Sequence, residues 1–271
     1  MRLKFTKMHG LGNDFIVING LDNFFNKDLI NIPKLANRYT GIGFDQLLIV
    51  ESSQSVGIDF RYRIFNADGQ EVQQCGNGAR CFALYVFEKE LTSKRKINVE
   101  TLNGVIELTI NNSSSVTVNM GEPEFMPSKI PANFDNPHKK YSINGKEIGV
   151  LSMGNPHAVI ISDDIENLQI EEIAKDIQYS GYFPEGVNVG FMQINSPNNI
   201  SLRVYERGVG ETKACGTGAC AAVVYGVEND LLAKKVCVSL PGGGLDINYE
   251  KGSEVFMTGP AEFVFEGSIE V

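Results

Sequence analysis

One short sequence occurs twice in this chain of 271 residues, and it restricts the fold more than any other feature. Cys-Gly-Asn-Gly-Ala begins at Cys75 and Cys-Gly-Thr-Gly-Ala begins at Cys215, an offset of 215 − 75 = 140 residues. The same offset also aligns other residues without a gap: Arg63 with Arg203, Phe65 with Tyr205, Glu71 with Glu211 and Ala83 with Val223. We therefore predict an internal duplication, with two related halves about a pseudo-two-fold axis.

Each copy predicts a cysteine at the start of a helix. Glycine lets the backbone turn tightly and approach a ligand closely. The first N–H groups of a helix, assisted by the helix dipole, bind anions and lower the pKa of a thiol. Cys75 and Cys215, brought by the two halves to a shared cleft, could remove a proton from one face of a carbon and return one to the other. This is the chemistry of a racemase or epimerase that needs no cofactor.

Three other uses of the cysteines stay open from the sequence alone. The thiols could be buried structural groups, a redox disulfide, or zinc ligands. Zinc is disfavoured because Cys75 and Cys81 are six positions apart and Cys215 and Cys220 five, so neither pair forms a CxxC knuckle. Cys81, Cys220 and Cys237 lie within apolar patterns, and we predict that all three belong to the core.

The composition is that of a globular protein with free thiols. A net charge of −9 and a pI near 5.0 argue against a nucleic-acid surface. The chain has no apolar run long enough to span a bilayer and no signal-peptide core. Five cysteines are an odd number and a low density for a disulfide scaffold. We expect a cytoplasmic protein that binds neither nucleic acid nor membrane.

Most of the chain reads as short strands separated by turns. Residues 58–66 alternate apolar and charged side chains, and Asn-Gly pairs at 103–104 and 144–145 mark hairpins. Further strands are predicted at 45–51, 115–119, 158–161, 187–194, 200–205 and 254–258. Helical spacing of apolar residues follows each repeated cysteine, over 79–87 and 219–227. Minor helices are predicted at 33–39 and 166–177.

These elements predict an α+β fold with two pseudo-symmetric halves. Each half is expected to be a curled antiparallel sheet or barrel around one central helix. The first half would comprise residues 1–119, completed by a C-terminal strand at 263–271, and the second residues 120–262. The proline-rich segment 121–136 would connect them. A weaker sequence similarity between residues 12–17 and 154–159, at an offset of 142, supports the duplication.

Several motifs along the chain resemble those of the diaminopimelate epimerase family. They are Met-His-Gly-Leu-Gly-Asn-Asp-Phe at 8–15, Phe-Asn-Ala-Asp-Gly at 65–69, Gln-Cys-Gly-Asn-Gly-Ala-Arg at 74–80, Gly-Asn-Pro-His at 154–157, Glu-Arg-Gly-Val-Gly-Glu-Thr at 206–212 and Ala-Cys-Gly-Thr-Gly at 214–218. The resemblance covers the whole chain. It implies the conversion of LL-2,6-diaminopimelate to the meso isomer on the route to lysine and peptidoglycan, by a homodimeric enzyme with no cofactor. Independently of the resemblance, no ligand set in the sequence suggests a metal.

The resemblance also assigns residues to roles. Cys75 and Cys215 match the acid–base pair, and His157 and Glu206 match positions that support catalysis. The remaining matches fall on substrate contacts and on a carboxylate cradle. The substrate-contact positions are Asn13, Gln46, Asn66, Asn155, Asn188, Glu206 and Arg207. The cradle positions are Gly76, Asn77, Gly216 and Thr217.

The polar residues agree with a substrate that carries two ammonium and two carboxylate groups. Buried amides can donate or accept, Arg207 can hold a distal carboxylate, and Glu206 can accept from an ammonium. Successive strand residues face opposite ways, so Glu206 and Arg207 reach one ligand only if the strand ends or bulges there. Gly208 favours such an end. A proline-type racemase, the nearest alternative, would not need this distal pair.

Three positions, His157, Arg80 and Phe265, have interpretations of their own. His157 could equally be a satisfied structural histidine, and we interpret Arg80 as a charge on a helix face. Where some members of the family carry a tyrosine at the dimer contact, this chain has Phe265, which loses a hydroxyl hydrogen bond.

Overall fold

A computed structural model describes residues 2–22, 30–72 and 75–271. The chain separates into two compact units, Met1–Val118 with Thr258–Val271, and Asn119–Met257. The boundaries drawn from the sequence, at 119 and 263, stay predictions about where the duplicated segments meet. Gln74, quoted above within a motif, lies outside the described residues.

The N-terminal segment of the first unit consists of eight strands and two helices among the described residues, and strands of this segment pack around the second helix. Its elements are β1 (Arg2–Gly10), β2 (Asn13–Asn19), α1 (Ile32–Ala36), β3 (Gln46–Glu51), β4 (Phe60–Asn66), β5 (Glu71–Val72), α2 (Gly76–Glu88), β6 (Lys96–Thr101), β7 (Gly104–Asn112) and β8 (Ser115–Asn119). Antiparallel pairs form between β1 and β2, β3 and β4, β4 and β5, β6 and β7, and β7 and β8. Two pairs, β2 with β3 and β4 with β6, are parallel.

The second unit repeats that order. Its elements are β9 (Tyr141–Ile143), β10 (Lys146–Ser152), β11 (Pro156–Ile161), α3 (Ile170–Gln178), β12 (Asn188–Ser196), β13 (Asn199–Glu206), β14 (Gly210–Thr212), α4 (Gly216–Glu228), β15 (Lys235–Leu240) and β16 (Gly243–Asn248). β17 (Phe256–Pro260) and β18 (Glu262–Glu270) end the chain, and β18 pairs with β1 in the first unit. The second unit has an additional first strand, β9, before the repeated order begins at β10. The parallel pairs then recur at the equivalent strands, β11 with β12 and β13 with β15.

The α+β class and the repeated halves are confirmed, but the sheets are not purely antiparallel. A parallel pair needs a crossover connection, and each half contains two. The helices α1 and α2 lie in the two crossovers of the first unit, and α3 and α4 in those of the second. The hairpin signals in the sequence are local and reveal antiparallel neighbours only, whereas parallel pairing joins strands that are distant in sequence.

Each central helix is the core of its own unit. In α2 every residue from Gly76 to Val86 is buried, and the helix packs on β1, β2, β3 and β7. In α4 only Thr217 and Glu228 are not buried, and the helix packs on strands that include β10, β11, β12 and β16. A helix that is apolar all round is stable only when it is enclosed in this way. The prediction of one central helix per half is therefore confirmed.

The other core predictions hold except at one cysteine. Cys81 and Cys220 are fully buried in α2 and α4. Cys237 is exposed, so its assignment to the core was wrong. In β15 the side chains of Val236 and Val238 point inward, and the alternation of a strand then turns Cys237 to the outside. The segment 121–136, predicted to connect the halves, lies within the second unit and contains a 3-10 turn at Pro127–Lys129.

Candidate functional site

Cys75 caps the N-terminus of α2. Its backbone is extended, with φ −143° and ψ 114°, and its sulfur accepts a hydrogen bond from the Gly78 N–H at 3.5 Å. The thiol in turn faces the side-chain oxygen of Asn13, 3.7 Å from Sγ. The N–H groups at a helix start lack the intrahelical acceptors of later turns, and together with the helix dipole they form a site suited to an anion. A thiol and an anion-binding helix start therefore coincide, as the sequence predicts.

Three predicted amides lie in the same unit on adjacent strands. Asn13 begins β2, Gln46 begins β3 and Asn66 ends β4. Gln46 lies beside Asn66 in the strand register, and its Nε2 donates to the Asn66 Oδ1 at 2.9 Å. The Gln46 Oε1 is buried and has no hydrogen-bond partner among the described residues. A buried acceptor without a donor is costly, and it fits a ligand that brings a donor such as an ammonium group.

Cys215 caps α4 with the same extended backbone, φ −122° and ψ 107°. It is 5% exposed. Burial raises the pKa of the Cys215 thiol well above its usual range, and the negative charge of Glu206 raises it further, against the hydroxyl of Thr217 and the N–H of Gly218. The expectation that the helix start lowers the thiol pKa is therefore wrong for Cys215, because desolvation and a carboxylate outweigh the dipole.

Glu206 and Arg207 lie where β13 ends, which is the condition set above for both side chains to reach one ligand. The chain turns at once, because Gly208 has a positive φ of 72°. Thr212 donates its hydroxyl to Glu206 Oε1 at 2.6 Å. The Arg207 N–H donates to Asn188 Oδ1 at 3.0 Å, and its Nη1 donates to the Glu185 carbonyl at 2.7 Å. These bonds hold one carboxylate and one guanidinium at adjacent positions.

His157 is 1% exposed and lies beside Asn188 in the parallel pair of β11 and β12. Its Nε2 is 3.0 Å from Asn155 Oδ1. Burial, together with the positive charge of Arg207, lowers the pKa of His157 to about 3. The imidazole is therefore neutral near pH 7, and its ring nitrogen orients the Asn155 amide.

The predicted residues are paired between the two units at the offsets read from the sequence. Asn13 corresponds to Asn155 and Gln46 to Asn188, both at 142 residues, and Asn66 corresponds to Glu206 at 140. Phe15 neighbours Gln46 across β2 and β3 as His157 neighbours Asn188 across β11 and β12. Each unit thus places one cysteine, one glycine-rich helix start and several polar side chains near strand ends in the same order.

A duplicated ion pair fixes the strand ahead of each cysteine. Arg63 binds both oxygens of Glu71 at 2.8 Å, between β4 and β5. Arg203 binds Glu211 in the same way at 2.7 and 2.9 Å, between β13 and β14. A partly exposed pair adds little to stability. Its bidentate geometry instead sets the register of the short hairpin that leads into the helix.

The sequence did not reveal several residues around Cys75. Arg80 is fully buried, so its interpretation as a charge on a helix face was wrong. The Tyr62 hydroxyl is buried without a partner among the described residues. Asp45, next to Gln46, accepts from the Asn13 Nδ2 at 2.8 Å. The position of Arg80 one turn after Asn77 was a usable signal, because that spacing places both on one helix face.

The two glycines after the cysteines allow a matched test of this packing. A Cβ on Gly78 would lie 2.4 Å from the Tyr62 hydroxyl, whereas one on Gly218 would meet Val204 and the Cys215 sulfur at 3.1 and 3.3 Å. We expect Gly78→Ala to lower the free energy of unfolding by about 2 kcal/mol, and Gly218→Ala to change it by less than about 1 kcal/mol. Chemical denaturation of both variants measures the difference.

Removal of the hydroxyl provides the control. Tyr62→Phe deletes a buried group that has no partner among the described residues, so alone it should leave stability unchanged or slightly higher. Combined with Gly78→Ala it should recover most of the loss, because the added methyl group then has room. Equal losses in the two glycine variants, or no recovery in the double variant, would contradict this account of the helix start.

Comparison with solved structures identifies the fold. A hydroxyproline epimerase from Agrobacterium vitis aligns with a TM-score of 0.70 at 13% identity, covering 99% of this chain and 92% of that chain. A PhzF-family phenazine biosynthesis protein from Bacillus anthracis aligns with a TM-score of 0.70 at 16% identity over the full length of both. The likeness extends over nearly the whole of this chain and shows the fold, with its two repeated halves.

The sequence comparisons are more specific. The family model described as diaminopimelate epimerase matches residues 5–126 and 149–264. A diaminopimelate epimerase of Neisseria meningitidis is 55% identical over 98% of both chains, and one of Vesicomyosocius okutanii is 50% identical over the whole of both. The chain belongs to the diaminopimelate epimerase family, and it is an isomerase.

The structure also bears on metal binding and on membrane insertion. Within residues 2–22, 30–72 and 75–271, no group of three or more His, Cys, Asp or Glu side chains is placed to hold a metal ion. Among the helices of the same residues, none is long and apolar enough to cross a membrane.

Proposed function

We propose that this chain converts LL-2,6-diaminopimelate to the meso isomer, with Cys75 and Cys215 as the acid–base pair. The observation that carries the proposal is the duplicated helix start, where each unit presents a cysteine, two glycines and the N-terminus of its central helix in the same order. The membership of the family supplies the substrate. Lysine and peptidoglycan synthesis are the processes that use this product.

The proposed reaction moves one proton off the α-carbon and another onto it. A thiolate removes the α-proton and becomes a thiol, leaving a carbanion conjugated with the carboxylate. The second cysteine donates its S–H proton to the opposite face and becomes a thiolate. The configuration at that carbon is inverted, and the charges balance. The sulfurs supply both the acid and the base, so the step as written needs no cofactor.

The carboxylate next to the reacting carbon needs the strongest stabilisation, because negative charge develops there. The N–H groups at Gly76, Asn77, Gly216 and Thr217 begin the two helices, where backbone dipoles favour an anion. Preorganised donors of this kind stabilise the transition state more than the ground state. This supports assigning those four residues to the carboxylate cradle.

Glu206 links substrate binding to the state of Cys215. Burial raises the pKa of the Cys215 thiol in the free protein, and the negative charge of Glu206 raises it further. An α-ammonium group bound to Glu206 would offset that charge, so substrate binding would lower the thiol pKa and make the thiolate accessible. The Gln46 Oε1, buried without a donor among the described residues, is a second acceptor for an ammonium group.

The distal amino-acid end of the substrate distinguishes this function from a proline-type racemase. We assign the remaining substrate contacts to side chains at the first or last residue of a strand or directly next to one: Asn13, Asn66, Asn155, Asn188 and Arg207. A guanidinium and several amides suit a second carboxylate and ammonium, which proline lacks. His157, neutral and bonded to Asn155, would orient that amide.

The direct experiment incubates the protein with LL-diaminopimelate and follows the meso isomer by chiral chromatography. We expect turnover that is unchanged by EDTA and by carbonyl reagents. L-proline and trans-4-hydroxy-L-proline, supplied under the same conditions, should not be epimerised. Turnover of a proline substrate without turnover of diaminopimelate would contradict the assignment, as would loss of activity in EDTA that zinc restores.

We further propose that the enzyme is a cytoplasmic homodimer that uses the β18 surface. Phe263, Val264 and Phe265 are 39%, 53% and 49% exposed in that strand. Adjacent exposed apolar side chains are typical of interaction sites. Phe265 also packs edge-on against Phe5 at 6.0 Å, which fixes its ring without a hydroxyl. Reduced thiols are expected in the cytoplasm.

A charge at this surface should separate the subunits. We expect Phe265→Glu to shift the protein from dimer to monomer in sedimentation velocity, because a buried carboxylate without a partner is costly. Val105→Glu is the matched control, since Val105 is 55% exposed on β7 in the same unit. A dimer that survives Phe265→Glu, or one that dissociates equally in the control, would contradict the assignment of this surface.

A further inference from the structure

The first unit contains a buried cation, the guanidinium group of Arg80. Arg80, on the second turn of α2, has no exposed surface. Its Nε donates to the Pro260 carbonyl at 3.0 Å, its Nη1 to the Gly76 carbonyl at 3.4 Å, and its Nη2 to Asn77 Oδ1 at 2.9 Å. A guanidinium carries donors only. Arg80 is therefore held by backbone carbonyls and can present nothing but N–H groups to Asn77.

This donor fixes which way the Asn77 amide faces. Because the oxygen of Asn77 accepts from Arg80, its Nδ2 points away, and it donates to Asn13 Oδ1 at 3.4 Å. Amide oxygen and nitrogen are distinguished by such partners. Because Arg80 donates to the oxygen of Asn77, the nitrogen of Asn77 is the group that faces the oxygen of Asn13.

An acceptor fixes the other end of Asn13. Asp45 Oδ2 accepts from the Asn13 Nδ2 at 2.8 Å and from the Asp14 N–H at 3.1 Å. Arg38 holds the opposite oxygen of Asp45 at 2.7 Å and both oxygens of Asp14 at 2.7 and 2.9 Å. An ionised carboxylate accepts only. The nitrogen of Asn13 must therefore face Asp45, and its oxygen must face Asn77 and Cys75.

We propose that Arg80 and Asp45 are positioning residues that lock the Asn13 amide from opposite ends, with its oxygen toward the Cys75 thiol. The proposal rests on the role proposed for Cys75. An oxygen can only accept, so the lock favours the S–H form of Cys75, which donates to Asn13 at 3.7 Å. Cys75 would then be a proton donor in the substrate-free enzyme, ready for the half of the reaction in which Cys215 removes the proton.

The second unit does not repeat the lock. At the offset of 140 residues, Arg80 corresponds to Cys220, and Asn77 corresponds to Thr217. The Thr217 hydroxyl lies 3.7 Å from the Cys215 sulfur, and either atom could be the donor. A hydroxyl rotates, whereas the amide of Asn13 is held at both ends. The two thiols are thus controlled by different means: an oriented amide at Cys75, and burial with Glu206 at Cys215.

Two titratable side chains beside Cys75 are neutral near pH 7. Tyr62 and Cys81 both interact with Cys75 electrostatically. Burial raises the pKa of Tyr62 well above its usual range and that of Cys81 to about 12. Neither side chain therefore contributes a charge to the titration of Cys75 near that pH.

The test measures the pH midpoint for iodoacetamide labelling of Cys75, resolved by peptide mass spectrometry in the substrate-free protein. Arg80→Met removes the donor and a positive charge. Loss of the charge alone would raise the midpoint, whereas release of the amide would lower it, because Asn13 can then turn its nitrogen toward a thiolate. We expect a fall of about one pH unit, which is a tenfold rise in the thiolate fraction below the midpoint.

Asp45 gives an independent pair of variants at a partly exposed site. Asp45→Ala and Asp45→Asn remove the same charge, but Asn keeps an oxygen that can accept from the Asp14 N–H and from Asn13. We expect a lower midpoint in Asp45→Ala than in Asp45→Asn. Asp22→Ala, which removes another carboxylate that accepts from an asparagine, Asn19, at 2.7 Å, should leave the midpoint unchanged.

The outcomes separate the two proposals. A higher midpoint in a folded Arg80→Met protein, or equal midpoints in the two Asp45 variants, overturns the lock. If Arg80→Met does not fold, which labelling of the buried Cys81 would reveal, the Asp45 pair decides. Labelling needs no substrate, so these results stand whether or not diaminopimelate is epimerised. A wild-type protein with a locked Cys75 and no epimerase activity would overturn the proposed function alone.

Discussion

Cys75→Ala and Cys215→Ala are each expected to lower kcat/KM for diaminopimelate by at least about 10³-fold. A positioned acid or base contributes roughly 10² to 10⁴ to a rate. Here each sulfur would act as base in one direction and as acid in the other, so neither variant retains a complete cycle. A coupled assay for the meso isomer measures the forward loss, and chiral chromatography measures the reverse.

Two matched variants separate chemistry from stability. Cys237→Ala changes an exposed thiol on β15 and should keep wild-type turnover. Cys81→Ala opens a small space beside the buried side chains of α2, so it should lower the melting temperature more than the activity. A variant Cys75→Ala or Cys215→Ala that turns over within about tenfold of the wild-type rate, at an unchanged melting temperature, would contradict the two-thiol mechanism.

The sequence was sufficient to place the two central helices, α2 and α4. Glycine after cysteine, followed by apolar residues at helical spacing, is a local pattern, and both helices begin where it occurs, at Gly76 and Gly216. The repeat then supplied long-range information, because residues that are identical at the offset of 140 predict equivalent contacts in the two halves. The duplicated hairpin bonds of Arg63 with Glu71 and Arg203 with Glu211 follow from this alignment.

The parallel strand pairs could not be read in the same way. Their pairing joins β2 to β3 and β4 to β6 across helices, and no turn motif marks it. Hairpins leave a signature in two or three adjacent residues, whereas a crossover leaves only a length and a helix. The short helix α1, which fills one crossover, was predicted a few residues too long.

Electrostatic properties depended on residues far apart in the chain. The helix start predicted a low pKa for both thiols, yet at Cys215 burial and Glu206 raise it. The sequence showed the dipole, which is local, but not the enclosure of the sulfur, which depends on the packing of the whole unit. Arg80 was misjudged for the same reason, because the carbonyl of Pro260 that receives it lies 180 residues away.

In D₂O, the first product formed is expected to carry deuterium at the inverted carbon, while unreacted substrate keeps its hydrogen. The proton removed by one sulfur stays on that sulfur, and the proton delivered comes from the other, whose S–H exchanges with solvent between turnovers. A thiol has a pKa near 8.5 and an α-proton is far less acidic, so removal needs the cradle to stabilise the charge that develops. Mass spectrometry and NMR at low conversion, in both directions, measure the label.

The single-cysteine variants extend this test to the two faces separately. Without its partner, a remaining thiolate could remove an α-proton and return a deuteron to the same face, which exchanges the hydrogen without inversion. We expect Cys75→Ala and Cys215→Ala to exchange substrates of opposite configuration at that carbon, because each retains the base for one face only. Product that keeps the substrate's own hydrogen in the wild-type enzyme would mean that one base serves both faces. Exchange of the same isomer by both variants would place the two sulfurs on one side of the carbon, and the assignment of Cys75 and Cys215 to opposite faces would fail.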